Sequence, residues 1–177
     1  MKTVKTTICL LVGMLCLSLT TYAQDKPISV DFDGYDANIE IIKEYTKTMN
    51  SGDAVKLSSF FTDDAMIIGL GGISDTINKK QHLEMYTANF AQNTYDVNEG
   101  VNLSVRIGDG AQVPPGDYGF SWGTVSSTSK STKRTAMTNY HVVTAINEGK
   151  IAMMWFYYDT MPFVLRDGAT ITPPKKM

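Results

Sequence analysis

The sequence predicts an α+β fold in which a curved antiparallel sheet wraps over helices that precede it in the chain. Two observations carry this. Between residues 36 and 92 apolar side chains recur every three or four positions, the period of a helix with one buried face. After Asn93 the pattern changes to strand-like segments separated by turn residues. Helices first and long strands later is the α+β order, not the alternating order of a parallel sheet.

Residues 24–35, "QDKPISVDFDGY", are polar and read as an exposed lead-in. Asp36 is placed to cap the helix that follows, in which Ile39, Ile42, Tyr45 and Met49 form one face and Asn50-Ser51-Gly52 make the stop. Asp53 caps a short second helix, "AVKLSSFF", presenting Val55, Phe60 and Phe61. "AMIIGLGG" is a strand ending in a turn, and "ISDTIN" is short enough to pair back on it. "KKQHLEMYTANFAQ" is helical, with Leu83, Tyr86 and Phe90 on its stripe. "NLSVRIGDG", "DYGFSWGTVSST", "RTAMTNYHVVTAI" and "GKIAMMWFYYDT" read as strands, with "SSTSKSTK" as a polar hairpin tip and "INEGK" as a tight turn. Residues 169–177 form a flexible tail.

The first 23 residues read differently. Lys2 and Lys5 precede the apolar run "ICLLVGMLCLSL", and Thr21 and Ala23 supply small residues at a cleavage position. This is the pattern of a secretory signal, too short to span a bilayer well, and it predicts export to the periplasm or the medium. Cys9 and Cys16 both lie inside it, so the mature chain carries no disulfide, thiol nucleophile or cysteine metal site. Loss of Lys2 and Lys5 leaves 14 basic against 18 acidic residues, a balance of −4. That balance attracts neither nucleic acid nor an anionic membrane.

The segment "GKIAMMWFYYDT", residues 149–160, is apolar or aromatic at successive positions and stops at Asp159. A half-buried strand alternates; this one needs a pocket on one face and a packed interface on the other.

The order of parts resembles the nuclear-transport-factor-2-like superfamily and, within it, the SnoaL-like and steroid-isomerase-like proteins. The resemblance covers residues 36–168 and rests on "YTKTMNSGDAVKLSSFFTDDAMI", on the hairpin around "FSWGTV", and on "NEGKIAMMWFYYDT" with its turn glycine, Trp155 and Asp159. It implies a cone of strands closed by helices, a dimer through the sheet, and a choice of functions, since this fold hosts isomerases, cyclases, dehydratases, epoxide hydrolases and proteins with no chemistry. Tyr45 matches the helix tyrosine that donates to an oxyanion in steroid-isomerase-like members. Gly69 stands where those members carry a catalytic aspartate, and His141 where they carry a protonated one. Asp159 matches the acid at the end of the last strand of SnoaL-like cyclases. Epoxide hydrolases of this fold use an Asp-Arg-Asp cluster, while arginine here is limited to Arg106, Arg134 and Arg166.

The candidate catalytic residues are therefore Asp159, His141 and Tyr45. Asp159 at the mouth of an aromatic pocket would have its charged form disfavoured and its pKa raised toward working pH. Its plainer reading is a strand-end acid tying down "TMPF" through backbone amides. His141, if Asn139 and Val143 share its face toward the cavity, would donate to a ligand oxygen; otherwise it is a core histidine. His82, among lysine and glutamate neighbours, reads as exposed. The candidate ligand-binding residues are Phe60, Tyr86, Phe90, Trp122, Tyr140, Trp155, Tyr157 and Tyr158. Strand parity separates Trp155, Tyr157 and Asp159 from Met154, Phe156 and Tyr158, and a bulge would break the rule. No metal or cofactor is implied, since two lone histidines without paired spacing make no metal site. "GLGG" lacks the lysine and hydroxyl of a phosphate loop, and "KSTKR" reads as a solvated basic hairpin tip. Two functions follow. One is an exported protein that holds a small apolar or ring-containing molecule in an aromatic pocket, with isomerase-, cyclase- or dehydratase-like acid/base chemistry. The other is a non-enzymatic binding or dimerisation module. Either one is a homodimer through the outer sheet face.

Overall fold

The computed structural model describes residues 30–172. The signal segment 1–23, the start of the lead-in and the last five residues lie outside the described part. Helix α1 spans Tyr35–Ser51. Asp36 was expected to cap it. Instead the N-cap is Gly34 in the left-handed conformation, at φ 75°, and no side chain caps the end. Asp36 lies in the first turn, where a carboxylate still meets the positive end of the helix dipole. Ile39, Ile42, Tyr45 and Met49 are buried, and Gly52 ends the helix at φ 72° with its N–H on the Met49 carbonyl.

Helix α2, Ala54–Ser59, is capped by Asp53, whose carboxylate accepts from the Lys56 amide at 2.9 Å. Its buried apolar residue is Leu57, while Val55 is 72% exposed, so one of the three apolar residues expected on its inner face points outward. The helix stops two residues early because Phe61 already begins strand β2, Phe61–Ile68. After a 3₁₀ turn, Gly72–Asp75, strand β3, Thr76–Ile77, pairs back antiparallel on β2 through Ile67 and Ile77. Helix α3, Lys79–Gln92, opens with a capping box between Asn78 and Gln81.

The long strands are β4, Asn93–Ile107; β5, Gly116–Ser129; β6, Thr135–Asn147; and β7, Lys150–Tyr158. Strand β5 runs into the expected polar tip, which shrinks to the few residues between Ser129 and Thr135. The β6–β7 turn places Glu148 and Gly149 at φ 49° and 74°, as a tight hairpin requires. A two-residue strand β1, Val30–Asp31, completes the sheet, and a short helix α4, Met161–Arg166, follows β7. The sheet order is β1-β4-β5-β6-β7-β2-β3. Every pairing is antiparallel except β2 with β7, which is parallel, so the sheet is mixed.

Helix α1 lies against β4 and β5. Asn38 donates to Ser104 Oγ at 3.1 Å. Gly119 lets the helix approach β5, because a Cβ there would strike Ile42 and Thr144. The core is closed by Tyr45, Met49, Leu57, Phe61, Ala65, Ile67, Phe90, Ile151 and Met154. Among the described residues no helix is long and apolar enough to cross a membrane.

Candidate functional site

Strand parity builds the site. On β5 the inward positions include Gly119, Ser121, Ser127 and Ser129; on β6, Tyr140, Val142 and Thr144; on β7, Ile151, Met154, Phe156 and Tyr158. Ile151 and Met154 share a face despite their odd spacing. The register slips between Ala145 and Ile146, which pair with Met153 and Ile151, so Ala152 is the extra residue of a bulge. A second irregularity, at Gly100, moves the inward positions of β4 from Tyr95 and Val97 to Asn102 and Ser104. Ile42, Tyr45 and Met49 of α1, Tyr86 of α3 and Arg166 of α4 close the remaining sides of a cavity of about 920 Å³.

Of the residues singled out from sequence, Tyr45, Tyr86, Tyr140 and Tyr158 line this cavity. Phe60 and Phe90 do not. Phe60 packs edge-on to Tyr45 at 6.0 Å and Phe90 is buried in the core. His141, Trp122, Trp155 and Tyr157 stand on the opposite, outer face, because β5, β6 and β7 present alternate residues to opposite sides. There they form a ladder. Trp122 stacks on His141 at 4.8 Å with 1° between ring planes, His141 on Tyr157 at 5.6 Å, and Tyr157 on Trp155 at 5.5 Å. Burial among these rings lowers the His141 pKa, and its Nε2 has no partner among the described residues.

Asp159 is exposed and is not part of the cavity wall. Its Oδ1 accepts from the Met161 amide at 2.9 Å, fixing the turn into α4. Of the two sequence readings for this acid, the geometry matches the one in which it ties down the loop. At Gly69 a side chain has no room, because the Asp75 carboxylate occupies that place, accepting from the Gly71 amide at 3.3 Å.

His82 reverses its expectation. It is 0% exposed, with Phe61 at 4.7 Å and Tyr86 at 4.6 Å between ring centres. Its Nε2 lies 3.4 Å from the Tyr45 hydroxyl, and Nδ1 has no partner among the described residues. The signal was present in the sequence: His82, Tyr86 and Phe90 recur at steps of four, and the buried stripe of α3 runs through them, with Leu83 at its edge.

Away from a few charged residues at one end, the interior is lined by uncharged groups and rich in hydroxyls. Burial lowers the His82 pKa to about 4, so its imidazole is uncharged near neutrality. Burial raises Tyr45 well above the ordinary phenol value, and Tyr86, Tyr95, Tyr140 and Tyr158 rise for the same reason. All five therefore remain protonated. The charged residues on the wall are Lys130, Arg134, Arg166 and Asp167. Among the described residues no group of three His, Cys, Asp or Glu gathers as metal ligands would.

This architecture is the nuclear-transport-factor-2-like fold, and solved structures bear it out. A protein of Catenulispora acidiphila with a ketosteroid-isomerase-like fold, solved with trimethylamine, superposes with a TM-score of 0.59 at 14% identity, over 76% of this chain and 98% of that one. A proposed polyketide cyclase of Pseudomonas putida gives 0.58 at 16% identity, over 72% and 95%. An epoxide hydrolase of M. tuberculosis, of the LEH-like type, gives 0.58 at 12%, over 74% and 89%. At such identities the likeness is one of fold. No family model matches the sequence, and no curated protein matches it either.

Proposed function

We propose that this chain is an exported, homodimeric protein whose cavity binds a small apolar or ring-containing molecule, and that binding rather than turnover is its main task. The observation that carries the reading is the cavity of about 920 Å³, walled by Met49, Val142, Met154 and Phe156 and studded with tyrosine and serine hydroxyls. A concave apolar wall with a few convergent polar groups suits a small molecule. The non-catalytic emphasis rests on the wall chemistry: the single carboxylate there among the described residues, Asp167, is already engaged by Arg166. Export rests on the sequence of residues 1–23, and the dimer on the aromatic outer face.

Calorimetric titration of the purified protein with a neutral ring compound, 2-naphthamide, tests this. Micromolar binding is expected, and Val142→Trp, which fills the cavity from β6, should abolish it without lowering the unfolding midpoint. Absence of binding to the wild type both of this compound and of its carboxylate analogue, 2-naphthoate, would remove the reading.

A second reading, acid/base chemistry, draws on the Tyr45–His82 contact at 3.4 Å. A neutral tyrosine backed by a neutral imidazole is a hydrogen-bond donor suited to a developing oxyanion. Its test is loss of the α-proton signals of 2-tetralone in D₂O. Exchange faster than buffer, abolished by Tyr45→Phe, would favour catalysis.

A further inference from the structure

The cavity wall is chemically lopsided. The chain as a whole carries a formal charge of −2, yet the charged residues on the wall are three cations and one carboxylate. The carboxylate is not available to a ligand. Arg166 forks onto Asp167 with Nε and Nη2 at 2.8 and 3.0 Å, and its Nη1 donates to the Ser127 carbonyl and hydroxyl at 3.0 and 2.9 Å. The Arg166 side chain is 8% exposed and that of Asp167 58%, so the guanidinium is a fixed part of the wall and holds the carboxylate at its rim. Lys130 and Arg134 are left in excess. Lys130 Nζ donates to one backbone carbonyl, that of Phe90, and the Arg134 guanidinium has no ion-pair or hydrogen-bond partner among the described residues.

These groups gather at one end. Ser129 closes the hairpin onto Arg134, its amide donating to the Arg134 carbonyl at 3.0 Å, and the Lys130 amide donates to the Gln92 carbonyl at 2.8 Å. The same end carries the hydroxyls of Tyr95, Ser127 and Ser129. The other end, at Ile42, Gly119, Val142 and Thr144, has no charged wall residue among the described residues. The basic "KSTKR" hairpin thus contributes two cations to the cavity as well as facing solvent.

We infer that the ligand is an amphipathic anion, with its apolar or ring-bearing body among Met49, Val142, Met154 and Phe156 and its carboxylate or sulfonate head at Lys130, Arg134 and the neighbouring hydroxyls. The inference rests on the reading that the cavity holds a small molecule, and it adds the charge and the orientation of that molecule. Hydroxyl donors beside uncompensated cations favour an anionic oxygen over a neutral one. An apolar wall beyond them selects against small inorganic anions, which would leave it wet.

The test compares two probes of one shape, 2-naphthoate and 2-naphthamide, by calorimetric titration of the wild type and of the doubly substituted Lys130→Gln, Arg134→Gln protein. Both positions are exposed, so the double variant should fold as the wild type does. Naphthoate is expected to bind about tenfold tighter than naphthamide at low salt, an advantage that falls as salt rises and shrinks to about twofold in the variant. Equal affinity for the two probes, or an advantage unchanged in the variant, would overturn the inference while leaving the pocket itself intact. Binding of neither probe would remove both.

Discussion

Asp159 and His82 show how little a residue type says before its surroundings are known. Asp159 ends an aromatic strand, yet its carboxylate is spent on the Met161 amide. Asp159→Ala should cost about 0.5–1 kcal/mol, the net contribution of one exposed side-chain-to-backbone hydrogen bond, and lower the melting temperature by a few degrees. Asp159→Asn keeps an accepting oxygen and should restore most of that. Neither should alter probe binding by titration. His82 has the opposite character, hidden and uncharged, and its pKa of about 4 lies below the ordinary 6.5. Above the ordinary value neither the folded nor the unfolded state holds this proton, and stability is intact. As pH falls the unfolded chain takes the proton first, so stability is lost progressively down to the folded value. The full effect is about 3 kcal/mol. In urea melts at neutral pH and near pH 4.5, His82→Leu should lose less stability on acidification than the wild type. The remaining slope belongs to His141, whose pKa is also lowered by burial, and to the carboxylates.

Helix α1 and strand β5 meet across Gly119, where any Cβ would collide with Ile42 and Thr144. Gly119→Val should therefore destabilise by about 1–3 kcal/mol, the usual cost of overpacking, measurable as a lowered urea midpoint, with the helix pushed off β5. The sequence shows that such elements exist but not how they meet. Ile39, Ile42, Tyr45 and Met49 mark α1 unambiguously, and the turn at Glu148 and Gly149 marks the β6–β7 hairpin. Which face of β7 looks inward is hidden because both faces are apolar, so no polar residue reports the outside. The bulge at Ala152 then shifts the parity, and the one at Gly100 does the same on β4. Bulges depend on pairing with a neighbour, which a single strand's pattern does not contain. The face of His141 is open in the sequence for a related reason: Asn139, His141 and Val143 share one side of an unbroken strand β6, and nothing in that strand's own pattern says which side is the inner one. His82 reads as exposed only while a histidine counts as polar within a stripe it completes.

At the scale of the whole molecule, one sheet serves two surfaces: the inner face encloses the cavity and the outer face carries the stacked rings. Trp122 is 38% and Tyr157 43% exposed, with Val101 and Met137 also uncovered on the same side. Rings stacked face to face across strands turn their edges outward, giving a flat apolar strip that a lone chain would leave in water. A second copy brings an identical strip, and a two-fold axis lets the two meet, each contributing about 800 Å² in an ordinary stable interface. Light scattering at micromolar concentration should accordingly give the mass of a dimer. Trp122→Glu with Tyr157→Glu places charges in that strip and should yield a monomer. Because both side chains point away from the cavity, the monomer should bind 2-naphthamide with the affinity of the wild type. A wild-type protein that is already monomeric would show that the ladder serves something other than self-association. A monomeric variant that also loses the probe would show that the sheet keeps its curvature, and so its cavity, only when two copies brace it.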